Sequence, residues 1–224
     1  MAKIFVTGHK GMVGSAIIDR LSRLNKIYTT DKKKLNFLNQ KQTLNYFKKN
    51  RFDQIYMCAA KVGGIHANSK YSADFIYENL QIQNNCIHAA YKTNVKKILF
   101  LGSTCIYPKK SKIPIKESYL LSGKLEETND AYAIAKIAGI KMCESYNRQY
   151  GRKYISLMPT NTFGPGDNYN LENSHFIPAI LRKLYEAKIN NKKYINLWGT
   201  GKPKREIIYV DDLAEAIIFF LKKK

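Results

Sequence analysis

Residues 3 to 21 constrain the fold more tightly than any other stretch of this 224-residue sequence. KIFVT predicts a short strand because it is rich in β-branched and aromatic residues, and SAIIDRLSRL predicts an amphipathic helix. The loop between them, GHKGMVG, contains Gly8, Gly11 and Gly14. Glycines let a backbone turn tightly and approach a pyrophosphate, and a helix N terminus presents free N–H groups to an anion. The stretch therefore predicts a dinucleotide-binding turn, with a ligand-free strand–helix turn as the alternative.

Predicted strands and helices alternate along the following residues. KIYTT, QIYMCAA, KKILFLGS and KYISLMPT predict strands, with helices between them. This alternation is typical of an α/β fold, here a Rossmann-type doubly wound parallel sheet with helices on both faces. After residue 165 the pattern changes to a helix, a strand at YINLW, a turn, a second strand and a final helix. We expect a dinucleotide-binding domain at residues 1–165 and a small substrate-binding segment at 166–224, with 201–224 returning to the sheet.

The composition narrows the class of partner. The formal net charge is +21, but only 7 of the 38 basic residues are arginine, and the lysines are scattered. Base recognition favours arginine forks and aromatic stacking, so we expect no nucleic-acid partner, whereas a polyanionic small molecule suits the charge. No apolar run is long enough to span a bilayer, and the 4 cysteines form no CxxC pair. We therefore expect a cytoplasmic protein with reduced thiols, no membrane association and no metal site.

A second motif, YAIAK, places Tyr132 and Lys136 on one face of a predicted helix. A phenol has an ordinary pKa of about 10, and a neighbouring ammonium stabilises phenolate and lowers that pKa. Tyr132 would then exchange protons with a carbonyl or an alkoxide. Ser103 follows the fourth predicted strand, at the edge of the sheet where ligands bind, and can hold the same oxygen. YAIAK alone can arise by chance, but the glycine loop, Ser103 and YxxxK in this order are specific together.

This combination resembles the short-chain dehydrogenase/reductase superfamily, in its extended branch that modifies sugar nucleotides. The stretches AAKVGGIHAN, NDAYAIAKIAGIKMCESYNRQYG, NSHFIPA and WGTGKPKRE are similar to the GDP-L-fucose synthase family, and the similarity covers essentially the whole chain. The resemblance implies an NADPH-dependent epimerase/reductase that converts GDP-4-keto-6-deoxy-D-mannose to GDP-L-fucose. The steps would be epimerisation at carbons 3 and 5, followed by hydride reduction of the 4-ketone. It also implies a homodimer with a GDP-sugar substrate.

The resemblance implies roles for individual residues as well. The catalytic positions are Ser103, Cys105, Tyr132, Lys136 and His175. The cofactor-binding positions are Gly8, His9, Lys10, Gly11, Met12, Val13, Gly14, Lys32, Leu35, Leu101, Gly102, Ser103, Thr104, Lys136, Pro159, Thr160, Asn161, Thr162 and His175. The positions that contact the GDP-sugar are Lys183, Trp198 and Arg205. Lys183 stands where an arginine is expected, which keeps the charge but loses the bidentate fork.

The chemistry explains why a cysteine and a histidine are needed. A 4-keto group acidifies the protons on its two neighbouring carbons, so inversion needs a base on one face and an acid on the other. The ordinary pKa values of a thiol, about 8.5, and of an imidazole, about 6.5, bracket the working pH. The alternatives are a small buried apolar residue for Cys105 and a polar residue that caps or precedes a helix for His175.

The choice of cofactor depends on residues of opposite charge. Asp31 follows the second predicted strand and can accept a hydrogen bond from a ribose 2′-hydroxyl, which favours NADH. Lys10 and Lys32 can both bind a 2′-phosphate, which favours NADPH. Because the family uses cations at these two positions, we expect NADPH.

Two other functions remain open at this stage. A sibling sugar-nucleotide 4-epimerase or 4,6-dehydratase would retain NAD internally, although a dehydratase favours Thr-Asp-Glu where this chain has Ser-Thr-Cys. A truncated, non-catalytic remnant would only bind nucleotides or RNA. Family members continue beyond the equivalent of residue 224, so we expect an incomplete substrate-binding segment, tight cofactor binding and impaired binding of the sugar.

Overall fold

The structure is a computed structural model that describes residues 2–21, 25–171, 173–197 and 199–223. The described residues form a central sheet of five parallel strands: β1 (Lys3–Thr7), β2 (Lys26–Tyr28), β3 (Gln54–Met57), β4 (Lys97–Leu101) and β5 (Lys153–Leu157). The order of the strands in the sheet is β2-β1-β3-β4-β5. This arrangement confirms the predicted α/β fold with a parallel central sheet.

Helices cover both faces of the sheet. The α-helices are α1 (Met12–Leu21), α2 (Gln40–Asn50), α3 (Ile65–Lys70), α4 (Ser72–Lys92), α5 (Asp130–Tyr150), α6 (Phe176–Ile189) and α7 (Val210–Lys223). The winding reverses at β1, because β2 lies on one side of it and β3 on the other. In open parallel sheets, ligands bind in the crevice at the carboxyl ends of the strands, at the point where the winding reverses.

Alternate side chains of each strand build two separate cores. In β4, Leu99 and Leu101 pack with residues of α1 and α7, whereas Ile98 and Phe100 pack with residues of α4 and α5. This follows from the two-residue period of a strand, which sends successive side chains to opposite faces. Each fully buried side chain of this size contributes about 1.5–3 kcal/mol through removal of apolar surface from water. The sheet is therefore held rigidly at the positions where the site is built.

Three elements differ from the sequence prediction. The loop after β3 contains the short helix α3, and β6 (Asn161–Phe163) pairs in parallel with β7 (Ile207–Tyr209) in a separate two-stranded sheet. The strand expected at YINLW does not form in residues 194–197. Tyr194 and Leu197 are 80% and 56% exposed there, so burial does not order this segment as a strand. An isolated run of this length gains no ladder hydrogen bonds, which accounts for its irregular backbone.

The last helix lies against the first. α7 packs on α1 and on the β1–β3–β4 face of the sheet, with Leu213, Ile217 and Leu221 almost fully buried. Lys97 at the start of β4 donates from Nζ to the Leu221 carbonyl oxygen at 3.1 Å. The chain thus comes back to the five-stranded sheet as a helix, while β7 belongs to the small sheet. No described helix combines the length and apolarity that crossing a bilayer requires.

Candidate active site

The glycine loop lies at the carboxyl end of β1, against the residues that follow β3. Gly8 has a φ of +68°, in the left-handed region that favours glycine, and its carbonyl oxygen accepts the Gly11 N–H at 3.0 Å. A Cβ on Gly8 would lie 2.8 Å from the backbone nitrogen of Ala59. No side chain fits at this position, because the atoms that a Cβ would meet belong to the backbone and cannot move aside. The turn therefore holds the N terminus of α1 at the crevice between β1 and β3.

Gly14, in the first turn of α1, permits a second close approach. A Cβ there would collide with the Gly8 carbonyl oxygen and would lie 2.8 Å from the Gly8 carbonyl carbon. The glycine lets α1 begin directly beside the loop, where backbone N–H groups and the helix dipole favour an anion. The residues present thus fit the pyrophosphate of a dinucleotide.

We expect Gly14→Ala to weaken dinucleotide binding and to destabilise the fold. The added methyl must push α1 away from Gly8, and forced overpacking of this kind costs about 1–3 kcal/mol. Titration calorimetry with NADP⁺ and thermal denaturation would measure the two effects. Gly11→Ala is the graded comparison within the same loop: its Cβ would lie 3.3 Å from the Gly8 oxygen, a tight contact but a longer one, so the loss of stability should be smaller. Equal behaviour of the two variants would contradict the prediction.

The glycine loop also contacts the turn after β2. The Lys10 Nζ lies 2.7 Å from Asp31 Oδ1, and the His9 Nε2 lies 3.6 Å from the same oxygen. The hydrogen bond from Lys10 is the main reason that the pKa of Asp31 lies below its ordinary value. Lys32 is exposed in this turn, whereas the Leu35 side chain is buried in the core and only its backbone faces the turn. The basic Lys10 and Lys32 side chains and the acidic Asp31 side chain therefore belong to the same end of the crevice.

The second part of the site lies at the carboxyl end of β4. Ser103 precedes a 3₁₀ turn, Thr104–Ile106, and its Oγ accepts the Cys105 N–H at 3.4 Å. Lys136 reaches the same edge from α5, where its buried Nζ donates to the Leu101 carbonyl oxygen at 2.7 Å. The structure thus brings Ser103, Cys105 and Lys136 together, although they come from two different elements.

Tyr132 lies one turn before Lys136 on α5. Its ring packs edge-on against Phe75 at a centroid distance of 6.3 Å, and the Lys136 Nζ is 5.6 Å from its centroid. The expectation of a lowered pKa is wrong for this structure: burial raises the pKa of the Tyr132 phenol, and the nearby Cys105 raises it further. Lys136 does not reverse this shift, although its Nζ lies near the ring; burial also lowers the pKa of Lys136 itself, to about 8. Tyr132 is therefore a protonated phenol at neutral pH.

Two thiols lie in the electrostatic environment of Lys136. Burial raises the pKa of Cys105, and the hydrogen bond with Ser103 and the charge of Lys136 oppose this only in part. Cys58, which directly follows β3, has its pKa raised by burial to about 12, again with Lys136 in opposition. The ordinary thiol value used in the sequence argument therefore does not apply, and Cys105 carries its proton at neutral pH.

His175 directly precedes α6, and its side chain is exposed and makes no capping hydrogen bond. The backbone before it is joined to the loop after β3, because the Gly64 N–H donates to the Asn173 carbonyl oxygen at 3.0 Å. A Cβ on the adjacent Gly63 would lie 3.2 Å from the ring of Phe75, which contacts Tyr132. A continuous series of contacts thus connects Tyr132 to the segment that carries His175.

Asp167 lies close enough to His175 for their charges to interact. Burial raises the pKa of its carboxyl group, and the charge of His175 opposes that shift. The Oδ2 atom is buried without a hydrogen-bond partner among the described residues. The adjacent Gly166 approaches the start of α1, since its Cβ would lie 3.7 Å from the Met12 Cα. This loop therefore connects the His175 region with the glycine loop.

The other expected cofactor residues follow β4, β5 and the glycine loop. The Gly102 N–H donates to the Leu157 carbonyl oxygen at 2.8 Å, which ties the ends of β4 and β5 together. The Thr160 hydroxyl and the Asn161 amide both donate to the Glu206 carbonyl oxygen, at 2.9 and 3.0 Å.

The remaining expected cofactor residues lie at the ends of these elements. Met12 and Val13 begin α1, Thr104 begins the 3₁₀ turn, and Pro159 and Thr162 flank the Thr160–Asn161 pair. Their backbones consequently border the crevice at the carboxyl edge of the sheet.

The expected sugar-binding residues lie in the C-terminal segment. Lys183 on α6 donates from Nζ to the Asn196 carbonyl oxygen at 2.9 Å, beside a groove of about 600 Å³ formed by α6 and residues 192–196. Arg205 lies in the exposed loop before β7, and Trp198 falls outside the described residues. The structure therefore gives positions for Lys183 and Arg205 only.

The sequence argument missed three residues that take part in this arrangement: Cys58, Phe75 and Asp167. Cys58 directly follows β3 at the carboxyl edge of the five-stranded sheet, and that position was the available signal; Asp167 follows β6 of the small sheet, which the sequence argument did not predict. Phe75 had no signal of its own, because an apolar residue on an amphipathic helix is normally part of the core. Among the residues that the structure describes, no cluster of three or more His, Cys, Asp or Glu side chains is suited to a metal ion.

Known proteins are similar to this chain over almost all of its length. The NAD dependent epimerase/dehydratase family matches residues 4–224. The GDP-L-fucose synthase of Escherichia coli (strain K12) is 53% identical over 222 residues, which cover 98% of this chain and 69% of that protein.

Solved structures agree with these similarities. A GDP-L-fucose synthetase from Naegleria fowleri bound to NADP has a TM-score of 0.88 at 31% identity, over 97% of this chain and 72% of its own. A GDP-mannoheptose C4 reductase from Campylobacter jejuni with NADP bound has a TM-score of 0.90 at 37% identity, over 99% and 75%. The chain belongs to the NAD dependent epimerase/dehydratase family, and within it to the group that contains the GDP-L-fucose synthases.

Proposed function

We propose that this chain is an NADPH-dependent epimerase/reductase that converts GDP-4-keto-6-deoxy-D-mannose to GDP-L-fucose. The observation that carries the proposal is the cluster of Ser103, Cys105, Tyr132 and Lys136 at the same sheet edge as the glycine loop. Proton donors and a dinucleotide site at one edge suit a reaction that moves both protons and a hydride. The similarity to proteins named GDP-L-fucose synthase supports the substrate.

The chain's own residues account for the proton in the reduction. Tyr132, which burial keeps protonated, gives its phenolic proton to the oxygen of the 4-ketone as that oxygen gains negative charge. Ser103 donates a hydrogen bond to the same oxygen and orients it. The positive charge of Lys136, 5.6 Å from the ring centroid, stabilises the phenolate as it forms, and the phenolate then takes a proton back from solvent. NADPH, when bound, supplies the hydride for the carbonyl carbon.

Cys105 and His175 account for the epimerisations. Removal of a proton next to the ketone gives an enolate, and return of a proton to the opposite face inverts the carbon. The buried Cys105 thiol keeps its proton at neutral pH and therefore suits the acid, while His175 suits the base. The link through Gly64 and Asn173 supports this pairing, because it ties the His175 segment to the loop that contacts Phe75.

One incubation tests the function. The protein is mixed with NADPH and GDP-4-keto-6-deoxy-D-mannose, the nicotinamide absorbance is followed, and the product sugar is identified. With the sugar supplied at concentrations high enough to offset the impaired binding expected from the sequence, we expect oxidation of NADPH together with formation of GDP-L-fucose. A product with unchanged configuration at carbons 3 and 5 would indicate a C4 reductase, and absence of NADPH oxidation would contradict the proposal.

We expect neutral replacement of both Lys10 and Lys32 to weaken NADPH much more than NADH. Only NADPH carries the 2′-phosphate, and each lost charge-assisted contact costs on the order of 1.5–3 kcal/mol. Binding titrations of Lys10→Met/Lys32→Met with both cofactors would measure the difference. Lys48→Met/Lys49→Met, in the last turn of α2, controls for the change in net charge. Equal losses for both cofactors would show that the two lysines act only through net charge.

The positions of the elements support separate ranges for cofactor binding and for sugar binding. We assign cofactor binding to residues 1–165 and part of the sugar binding to 166–224, because the glycine loop and β1–β5 lie in the first range and α6 with its groove lies in the second. The resemblance to the GDP-L-fucose synthase family supports a cytoplasmic location and a homodimer. The molar mass of the protein in solution tests the homodimer directly.

A further inference from the structure

We propose that Asn68 is a positioning residue for the epimerisation base: through one peptide group it fixes the backbone segment that carries His175. The inference rests on the proposed function, which assigns proton removal next to the ketone to His175, and it adds a residue that acts only through another. Asn68 lies on the short helix α3, in the connection between β3 and α4, and is 7% exposed.

The Asn68 side chain binds the peptide group between Gly63 and Gly64. Its Nδ2 donates to the Gly63 carbonyl oxygen at 2.7 Å and to the Gly64 carbonyl oxygen at 3.1 Å. The N–H of the same Gly63–Gly64 peptide group donates to the Asn173 carbonyl oxygen at 3.0 Å. Because a trans peptide group is planar, its C=O and N–H point in opposite directions, so a fixed oxygen also fixes the direction of the N–H. Asn68 thus determines the hydrogen bond that holds Asn173, two residues before His175.

The glycines on both sides of this peptide group make such a restraint necessary. Glycine rotates about its backbone bonds at little steric cost, so Gly63 and Gly64 do not orient the peptide group by themselves. A larger residue does not fit at the second position, because a Cβ on Gly64 would lie 2.5 Å from the Ser174 carbonyl oxygen. The Asn68 amide therefore supplies the orientation that side chains at these two positions cannot.

The start of the loop is held independently of Asn68. On α4, Asn79 accepts the Lys61 N–H with its Oδ1 at 2.9 Å and donates from Nδ2 to the Lys61 carbonyl oxygen at 3.0 Å. Asn79 thus fixes where the loop begins, while the orientation of the Gly63–Gly64 peptide group depends on Asn68. Loss of the Asn68 amide should consequently turn one peptide group without unfolding the loop.

The amide oxygen of Asn68 argues against a role in packing alone. This Oδ1 atom is buried and has no hydrogen-bond partner among the described residues. A buried acceptor without a partner costs stability, and an apolar side chain of similar volume, such as leucine, would avoid that cost. The amide is therefore explained by the two hydrogen bonds that its Nδ2 donates.

The restrained backbone leads directly into His175. The Ser174 N–H donates to the Asn170 carbonyl oxygen at 2.9 Å, and the His175 carbonyl oxygen accepts the Ala179 N–H at 3.2 Å in the first turn of α6. The backbone is thus fixed on both sides of the imidazole, and the direction of this exposed side chain follows from it. A shift of about 1 Å at a catalytic group costs about 10²-fold in rate, so the orientation of the Gly63–Gly64 peptide group affects proton removal.

Asn68→Leu tests the inference, with Asn147→Leu as the matched control. Asn147 also binds backbone through both amide atoms, since it donates to the Tyr154 carbonyl oxygen at 2.7 Å and accepts the Tyr154 N–H at 2.8 Å, but it joins α5 to β5. In Asn68→Leu we expect deuterium incorporation from D₂O into the keto sugar to fall by about 10²-fold, as for a misplaced base. NADP⁺ affinity and NADPH oxidation should change much less, so the product should be enriched in the unepimerised 6-deoxymannose-type sugar. Asn147→Leu should lower the Tm without changing the ratio of exchange to reduction.

Two further measurements examine the contact itself. Without any sugar, the backbone amides of Gly64 and Ser174 should exchange with D₂O faster in Asn68→Leu than in the unmodified protein or in Asn147→Leu. Gly64→Ala keeps the Asn68 amide, but its Cβ displaces the segment before His175. The same selective loss of deuterium incorporation into the sugar is expected for this second variant.

Three results would overturn the inference: equal losses of exchange and reduction in Asn68→Leu, a product mixture in Asn68→Leu like that of the unmodified protein, or the same change of mixture in Asn147→Leu. Failure of both Asn68→Leu and Gly64→Ala to fold would overturn it as well, because the loop would then serve the fold alone. Failure of the proposed function appears instead in the unmodified protein, as neither deuterium incorporation into the sugar nor NADPH oxidation. The catalytic role of Asn68 would fall with it, whereas faster amide exchange in Asn68→Leu would still report the contact.

Discussion

Tyr132→Phe should abolish most of the NADPH oxidation while the keto sugar continues to exchange protons with solvent. The phenol is the proton donor to the ketone oxygen, and a general acid of this kind contributes about 10²–10⁴-fold to the rate. The phenyl ring keeps its edge contact with Phe75, so the surrounding packing is preserved. Nicotinamide absorbance reports the reduction, and incorporation of deuterium from D₂O into the sugar reports the enolisation. A modest slowing of exchange is also expected, because the phenol polarises the same ketone.

Tyr150→Phe provides the matched control. Tyr150 is the last residue of α5, where its ring stacks on Tyr91 at 4.2 Å, and its change removes the same hydroxyl group from the same helix. Its NADPH oxidation should stay close to that of the unmodified protein. A Tyr132→Phe enzyme that oxidises NADPH at a near-normal rate would assign the proton to another donor.

Cys105→Ser should have the opposite effect. Solvent exchange into the keto sugar should fall by about 10²–10⁴-fold, because a hydroxyl is a weaker acid than a thiol in the same buried position. NADPH oxidation that remains should yield the unepimerised 6-deoxymannose-type product. Deuterium incorporation and identification of the product sugar measure the two outcomes.

Cys143→Ser controls for the loss of a thiol from the buried interior. Cys143 is buried on α5, and it hydrogen-bonds Ser156, a contact that a hydroxyl can reproduce. Formation of the fucose product should therefore persist in this variant. If Cys105→Ser still formed GDP-L-fucose at a near-normal rate, Cys105 would be a packing residue and the enzyme a simple reductase.

Local patterns predicted the elements of this fold well. KIFVT, KIYTT, QIYMCAA, KKILFLGS and KYISLMPT each contain a strand of the sheet, and helices lie between them. The prediction failed at YINLW, where residues 194–197 have no partner strand. It also gave no indication that β6 and β7 would pair, because their contact joins residues more than 40 positions apart. Periodicity reports how a segment divides between core and solvent, and it contains no information about which distant strand completes the ladder.

In the candidate site, too, some features are local in sequence and others depend on how distant elements pack. The glycine spacing, the Ser103 position and the YxxxK pair are local features, since each depends on a turn or on one face of a helix. The protonation of Tyr132 and Cys105 depends on burial, which the packing of α4, α5 and the 3₁₀ turn produces. The sequence argument considered only the charge of Lys136 and therefore assigned the wrong direction to the pKa of Tyr132.

The sequence by itself determined the class of fold, the dinucleotide turn and the residue types available for catalysis, because these depend on short-range geometry and on chemical identity. Only the tertiary structure decided that Lys10 pairs with Asp31 and that Gly64 binds the segment before His175. It also decided that the Lys136 ammonium binds the Leu101 carbonyl. These contacts join residues 21, 109 and 35 positions apart, and they exist because the sheet order brings the carboxyl ends of β1, β2, β3 and β4 to one edge. Their energies depend on burial and on the local dielectric, which arise only when the whole chain has packed.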